Sequence, residues 1–277
     1  MTSQWHTIEC SGATRPPLSV RVYKKESEDR TPPLVLYLRG GSFLEQGGEC
    51  PELPVAQALA DSGAVVIEAD YSTSSCNEFP AVIDCAFEAL DCLSRSRKHY
   101  GGAKSLLFVA GEEAGGNVAA GLALKARDRM PGKLAGQILL SPMIDPLMAS
   151  TSFRDADKIG MRQRWAEGWS HYLAKACGFA HPYAAPCLCT RLNLVAPALI
   201  FTAEDDPLRD ETVNYAGRLN DAGVKVRQHV FPAGSGWTGL YRGEGGKWLS
   251  AVCAEFAGFV QDLKPKIGSD QSQERNP

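Results

Sequence analysis

A doubly wound, mainly parallel α/β sheet is the fold class that this sequence predicts. Short apolar runs alternate along the chain with longer stretches of helical spacing, which is the order expected of β-α-β units. Several runs are apolar on both faces, as central strands covered by helices on both sides must be. These runs are residues 33–38, 64–69, 104–110, 135–142 and 197–202. Ligands bind such sheets beyond the carboxyl ends of the strands, so the loops there form the predicted site.

The remaining elements follow from the same patterns. Residues 18–23 alternate apolar and polar side chains, which is typical of a half-buried strand near a sheet edge, and residues 224–231 form the last strand. Helices are predicted at residues 53–62, 79–97, 114–129, 162–177, 209–222 and 247–260. The alternation of strands and helices breaks between about residues 145 and 190, which indicates an insertion at the rim of the sheet.

The chain is interpreted as one domain over residues 1–264. Segments at about 1–17 and 145–190 are expected to form a small helical cap, which covers the loops at the carboxyl ends of the strands. Residues 265–277 are polar and are expected to be a disordered tail.

Composition and charge narrow the classes of function. The formal net charge of −3 gives no electrostatic reason to expect nucleic acid as a partner. No apolar run approaches the roughly 20 residues that span a membrane. The first six residues do not have the order of a secretory signal, so a cytoplasmic location is expected. The nine scattered cysteines fit reduced thiols, and neither a metal cluster nor a phosphate loop is visible, so no cofactor is expected.

Residues 107–120 hold the candidate reactive position. The apolar run ends in Gly111-Glu112-Glu113-Ala114-Gly115 and passes into small residues that suit a helix. This is the strand–turn–helix order of a nucleophile elbow, G-x-S-x-G, whose glycines permit a strained backbone and close packing. Both glycines are in place, but Glu113 stands where the serine would be. Its neighbour Glu112 is expected to be solvated or salt-bridged.

Further motifs make the chain resemble the hormone-sensitive-lipase-like branch of the α/β-hydrolases, over about residues 18–240. The oxyanion loop of this branch, usually H-G-G-G-F, corresponds to Arg39-Gly40-Gly41-Ser42-Phe43. Its acidic motif, D-P-L-x-D-E, is intact at residues 206–211. Its elbow, G-D-S-A-G-G-N, corresponds to residues 111–117. The resemblance implies an α/β-hydrolase fold, relatives that hydrolyse carboxylic esters, and no cofactor.

The resemblance also implies a catalytic triad, of which this chain retains only Asp206. The family histidine follows the last strand, and alignment from Phe231 places it at Gly236, just before Trp237. Of the five histidines only His229 is close, and it lies inside the predicted strand, where it is expected to face solvent. Asp206 also fits a second role, because aspartate commonly caps the start of a helix.

Several roles are open for Glu113. A covalent nucleophile would stall, since no histidine is available to activate the water that releases the intermediate. At the start of a helix the dipole favours a carboxylate, and the amides of Gly40, Gly41, Ser42 and Ala114 would solvate it in the place of a substrate oxyanion. Glu113 would then be a general base assisted by Asp206 or Arg39, or an anchor neutralised by Arg39 in a decayed pocket.

Three functions therefore remain as hypotheses. The first is a non-hydrolytic homologue that binds a small, mostly apolar ligand, in a pocket with Arg39, Gly236 and Trp237; the plant gibberellin receptor of the same branch also lacks the triad histidine. The cap aromatics Trp165, Trp169 and Tyr172 would line that pocket. The second is an enzyme that uses Glu113 for elimination, cyclisation or isomerisation.

The third hypothesis is a residual carboxylic-ester hydrolase that uses Ser42 or Ser235 with His229. The sequence equally allows a homodimer. An engineered substitution at Glu113 is a further alternative, but the simultaneous loss of the histidine and the presence of Arg39 argue against a single introduced change.

Overall fold

An eight-stranded sheet forms the centre of the molecule in the computed structural model. The structure describes residues 5–8, 18–44, 51–71, 78–174 and 181–264. The strands are β1 (Trp5–Ile8), β2 (Leu18–Lys24), β3 (Leu34–Leu38), β4 (Val65–Ala69), β5 (Leu107–Glu112), β6 (Gly136–Leu140), β7 (Ala198–Ala203) and β8 (Val226–Phe231). Their order across the sheet is β1-β2-β4-β3-β5-β6-β7-β8.

The strand pairing confirms the doubly wound, mainly parallel sheet. The pairs β1–β2 and β2–β4 are antiparallel, and all other neighbouring strands are parallel. Strand β5 lies between β3 and β6, near the middle of the sheet. The carboxyl ends of the parallel strands therefore meet at one edge, where the motif residues are gathered.

Helices cover both faces of the sheet. They are α1 (Pro54–Asp61), α2 (Ala81–Arg95), α3 (Arg97–Tyr100), α4 (Glu113–Arg129), α5 (Arg162–Tyr172), α6 (Arg209–Asp221) and α7 (Leu249–Leu263). In β3, Val35 and Tyr37 join a core with α1 and α7, whereas Leu34 and Leu36 join the core of α2, α4 and α6. None of the helices in the described ranges is both long and apolar enough to cross a membrane.

Two predicted segments differ from the structure. Residues 5–8, assigned to the cap, instead form the antiparallel edge strand β1, so β2 is the second strand from the edge. The helix predicted over residues 162–177 ends at Tyr172. Residues 9–17 and 175–180, like the predicted tail, lie outside the described residues.

Candidate functional site

The elbow forms where β5 passes directly into α4. Glu113 is the first residue of that helix and has a φ of 53°, a left-handed conformation that is uncommon for residues other than glycine. A Cβ atom at Gly115 would overlap the carbonyl oxygen of Leu38, and one at Gly111 would overlap the carbonyl of Gly115. Both motif glycines are therefore required by close backbone contact, and they hold Glu113 at the carboxyl edge of the sheet.

The loop after β3 turns its backbone toward the elbow. Gly41 has a φ of 127°, and the next two residues, Ser42 and Phe43, have φ values of 58° and 59°. Each non-glycine residue in this region costs on the order of 1–2 kcal/mol. The loop is therefore held in a strained shape by its contacts, and that shape presents two successive amides to Glu113.

The Glu113 carboxylate is bound by the loop that corresponds to the oxyanion loop of the family. Its Oε2 accepts hydrogen bonds from the amides of Gly41 at 2.6 Å and Ser42 at 3.3 Å. Its Oε1 accepts from the Ser42 hydroxyl at 2.7 Å and from Trp165 Nε1 at 2.5 Å. The side chain is only 3% exposed. All four donors are neutral, and the expected amide of Ala114 is not one of them.

Arg39 is bound elsewhere, which corrects its predicted pairing with Glu113. Its guanidinium donates from Nε and Nη2 to Glu68 Oε1, at 2.9 and 2.6 Å, and from Nη2 to the carbonyl of Pro51. Glu68 on β4 is buried and also pairs with Arg21 at 3.3 Å. Arg39 therefore ties the oxyanion loop to the neighbouring strands.

Glu112 is buried and hydrogen-bonded, contrary to the expectation of a solvated neighbour. It accepts hydrogen bonds from the Tyr37 hydroxyl and, at 2.9 Å, from the amide of Gly40. Burial raises the pKa of Glu112 to about 7, although both hydrogen bonds and the charge of Arg39 act to lower it. The sequence signal for this residue is the aspartate that precedes the serine in the family elbow.

Asp206 is the most fully bonded carboxylate of the site. It is 1% exposed and lies after β7, where its two oxygens accept five side-chain and backbone donors. The donors are the hydroxyls of Ser141, Thr202 and Tyr241, the indole of Trp237 and the amide of Leu208. The bond to Leu208 closes a turn just ahead of α6, so Asp206 bonds the amide at the entrance to the helix, while Leu208 itself provides no side-chain cap.

By resemblance Asp206 corresponds to the acid of the triad, next to which the triad histidine has its place. Here the indole of Trp237 contacts Asp206. Its Nε1 lies 2.9 Å from Asp206 Oδ2 and 2.8 Å from Ser141 Oγ. Gly236, to which the sequence alignment assigned this place, is exposed with a φ of 78°. An indole N–H donates a hydrogen bond but accepts no proton, so this position provides no general base. Trp237 is fully buried, and neither it nor Gly236 lines the cavity beside the elbow, contrary to the predicted pocket.

The pair of Ser42 and His229, one of the two serine–histidine pairs in the third hypothesis, does not form. The Ser42 hydroxyl donates to Glu113, whereas His229 lies half-buried on β8, 3.5 Å from Glu255 and with its ring 4.4 Å from that of Phe231. The His229 side chain is 31% exposed, so it faces solvent only in part, and it also contacts Glu255 of α7 and the ring of Phe231.

The aromatic side chains of the cap helix were expected to line the ligand pocket, but they pack tightly against neighbouring residues. Tyr172 stacks on Phe43 with ring centroids 4.1 Å apart, and Trp169 lies 5.1 Å from the same ring. At Gly168 the helix α5 contacts the carbonyl of Ser42 so closely that a Cβ atom would overlap it. The cap helix is therefore packed directly on the oxyanion loop.

A cavity of about 430 Å³ remains beside the elbow. Gly41, Glu112 and Glu113 contribute to its lining, together with apolar side chains such as Met161 and with Arg39. The volume is in the range of small-molecule sites. Its mixed polar and apolar lining differs from the mostly apolar pocket that the sequence predicts.

The described residues show no group of three or more His, Cys, Asp or Glu side chains that could hold a metal ion. The cysteines within the described ranges are free thiols, at positions 85, 92, 187, 189 and 253. Cys187 has its thiol 3.8 Å from Asp145 Oδ1. Among the described residues, neither a cysteine pair nor a metal-binding group lies at the site.

Known proteins share this architecture. The profile of an α/β-hydrolase fold family matches residues 35–235. Carboxylesterase NlhH of Mycobacterium tuberculosis is 32% identical over 226 residues, covering 79% of this chain and 70% of that protein. An arylesterase of Saccharolobus solfataricus is 30% identical over 212 residues, covering 75% of this chain and 68% of that enzyme.

Solved esterase structures are similar over almost the whole chain. A thermostable esterase from Pseudomonas putida superposes with a TM-score of 0.76 at 28% identity, covering 95% of this chain and 82% of that one. A hyperthermophilic esterase from the archaeon Pyrobaculum calidifontis gives a TM-score of 0.77 at 28% identity, covering 94% and 86%. This chain belongs to the α/β-hydrolase fold family.

Proposed function

We propose that this chain is a non-hydrolytic member of the family that binds a small molecule in the cavity beside the elbow. The observation that supports the proposal is the Glu113 carboxylate, which fills the oxyanion site and is covered there by Trp165. Ester hydrolysis by a triad needs a nucleophilic hydroxyl, a base that accepts its proton, and free donors for the oxyanion. Glu113 and Trp237 provide neither of the first two.

The occupied oxyanion site strengthens the proposal. Removing a whole triad costs about 10⁶-fold in kcat, and the residual rate of roughly 10³–10⁴ over water comes from the oxyanion hole and substrate binding. Here the hole is filled by the chain itself, so that residual rate is not available either. A residual ester hydrolase, which the names of the relatives favour, would have to use another part of the cavity.

The cavity lining suggests the chemistry of the ligand. Charged groups such as Arg39, Arg164 and Glu112 share the lining with apolar residues such as Met161 and Leu240. A ligand with an apolar body and at least one hydrogen-bonding group would satisfy both kinds of surface.

A thermal-shift screen of small metabolite-like compounds tests this function, with Met161→Trp as a cavity-filling variant. A ligand at 100 times its Kd is expected to raise the Tm of the native protein by roughly 5–10 °C. The shift should be lost in Met161→Trp and kept in Val213→Trp, which adds an indole at an exposed position on α6. Equal shifts in both variants would place the ligand outside the cavity and contradict the proposal.

A second candidate function is acid–base chemistry, with Glu112 as the proton-transferring group. The sequence assigns this role to Glu113, but four donors already saturate that carboxylate. Glu112 contributes to the cavity lining, and burial raises its pKa to about 7, the range that suits proton transfer near neutrality. NMR of a bound ligand over time would test this: Glu112→Gln should bind the ligand and stop its conversion, and unchanged conversion would exclude the role.

A further inference from the structure

The cap helix and the oxyanion loop both donate hydrogen bonds to the carboxylate of Glu113. The donors to Glu113 come from two segments that are far apart in sequence, the loop at Gly41 and Ser42 and the helix α5 at Trp165. Glu113 itself belongs to a third segment, the elbow. A buried carboxylate that accepts four hydrogen bonds is strongly stabilised, and each bond to it is stronger than one between neutral groups.

Within the described residues no cation donates to Glu113 itself, although Arg164 donates to the Ser42 hydroxyl beside it. Within the described ranges, every hydrogen-bond donor to Glu113 is a neutral N–H or O–H group, and no ion pair to it forms. The four groups therefore have the composition of a site that recognises a carboxylate by directed hydrogen bonds. The loop and the cap helix carry these four donors, so the donors themselves are still present when the Glu113 side chain is removed.

The cap helix α5 and the oxyanion loop, which both bond Glu113, are also in direct contact with each other. Gly168 of α5 touches the carbonyl of Ser42, and Tyr172 stacks on Phe43. Arg164, one turn earlier on α5, donates to the Ser42 hydroxyl at 3.3 Å. The bond from Trp165 to Glu113 thus lies at the centre of the contact between the cap and the loop.

We propose that Gly41, Ser42 and Trp165 form a binding site for a small monocarboxylate, which the chain fills with its own Glu113, and that this occupancy latches α5 over the elbow. The latch explains why Ser42 and Phe43 keep their strained left-handed backbone. Each of them takes part in the contact between the loop and α5, and Glu113 joins these two segments. It is independent of the ligand proposed for the cavity, because Glu113 binds these donors from within the chain.

The test uses Glu113→Gly, which vacates the site and suits the left-handed backbone at this position. Acetate provides the missing carboxylate in trans. We expect about 20 mM acetate to raise the Tm of Glu113→Gly by about 4 °C, as a ligand with a Kd of about 1 mM would. The native protein should show no shift beyond that caused by sodium chloride of equal ionic strength. Equal acetate shifts in the two proteins would overturn the proposal.

Acetamide is the matched ligand control, because it has the shape of acetate without its charge. It should leave the Tm of Glu113→Gly unchanged. Adding Trp165→Phe to this variant removes one donor and should weaken acetate binding about tenfold. Undiminished binding in the double variant would show that the acetate lies elsewhere.

Hydrogen exchange tests the latch itself and does not require Glu113→Gly to be stable. In Trp165→Phe, which keeps Glu113, amides of residues 162–172 should exchange about tenfold faster than in the native protein. Exchange in α6 should stay unchanged. In Glu113→Gly the same region should be faster still, and acetate should restore its protection. Native exchange rates throughout α5 in Trp165→Phe would contradict the latch.

Discussion

At the scale of single residues, the side chains of Glu113 and Asp206 are both buried, and each is bound by several hydrogen-bond donors. Glu113 uses the oxyanion donors, and Trp237 supplies the hydrogen bond that a histidine would give to Asp206. Buried polar groups without partners are costly, so a site that loses its chemistry is stable only if its donors and acceptors are paired again. Under the proposed non-hydrolytic function, these hydrogen bonds give the retained Asp206 a structural role.

Asp206→Asn tests this explanation. The amide of asparagine would present N–H groups to hydroxyl, indole and backbone donors that now point at a carboxylate. We expect a loss of about 2–4 kcal/mol in the free energy of unfolding, measured by urea denaturation. Asp210→Asn, in the same motif but 30% exposed, should cost less than about 1 kcal/mol. A similar small effect at Asp206 would contradict the structural role.

Glu112 predicts a pH dependence of stability. Its pKa is about 7 in the folded protein and about 4.5 in the unfolded chain, so the folded state binds the proton more tightly. Its contribution to stability is fully present below pH 4.5 and is lost as the pH rises to 7, by about 3 kcal/mol in total. Glu112→Gln should remove this part of the fall in stability between pH 5 and pH 8, measured by urea denaturation.

Glu211 is the matched control for that experiment. It is also buried, and burial raises its pKa to about 8, but its carboxylate accepts hydrogen bonds from the amides of Ile144 and Asp145. Glu211→Gln should therefore remove a separate part of the fall in stability with rising pH, and this part should be centred at a higher pH. A pH profile of Glu112→Gln that matches the native protein would show that Glu112 is not buried as described.

The sequence predicts the backbone of the site better than its side-chain partners. The positions of Glu113, Gly41 and Ser42 follow from motif glycines, which dictate local backbone shape. The partner Trp165 comes from a cap helix 52 residues further along the chain, and no local pattern specifies which indole reaches the elbow. The burial of Glu112 is likewise a consequence of tertiary packing.

At the scale of elements, the fit of α5 on the oxyanion loop depends on one position without a side chain. Gly168 lets the helix backbone approach the carbonyl of Ser42, and the aromatic residues beside it pack on Phe43. Central strands were predictable because their residues are buried and most of them are apolar. Strand β1 was missed because four residues, Trp5–Ile8, at an edge carry too little periodic signal.

Gly168→Ala tests the fit of the cap. Alanine favours a helix over glycine by about 1 kcal/mol, but here its Cβ would overlap the Ser42 carbonyl. We expect a net destabilisation of about 1–3 kcal/mol, seen as a lower Tm. Gly217→Ala, on α6 with open space around it, should instead stabilise the protein by about 0.5–1 kcal/mol. Stabilisation by both changes would mean that the cap does not rest on the loop.

At the scale of the whole molecule, the chain has the α/β-hydrolase fold of the esterases that it resembles, with Glu113 at the elbow and Trp237 beside Asp206. The parallel sheet brings the ends of β3, β5, β7 and β8 to one edge, and this arrangement is predictable from the alternation of strands and helices. The function does not follow from that framework, because one fold supports many chemistries. It depends on the residues at the edge, and here these form a closed network of hydrogen bonds.

The central claim is tested most directly by p-nitrophenyl acetate hydrolysis with the native protein, Glu113→Ala and the double variant Glu113→Ser, Trp237→His. Because Trp237 contacts Asp206, the histidine belongs at this position and not at Gly236. We expect the native rate to equal that of Glu113→Ala, and the double variant to exceed both by at least about tenfold. The single variants Glu113→Ser and Trp237→His should be inactive. Native turnover well above that of Glu113→Ala would show that the carboxylate itself is catalytic and would contradict the account.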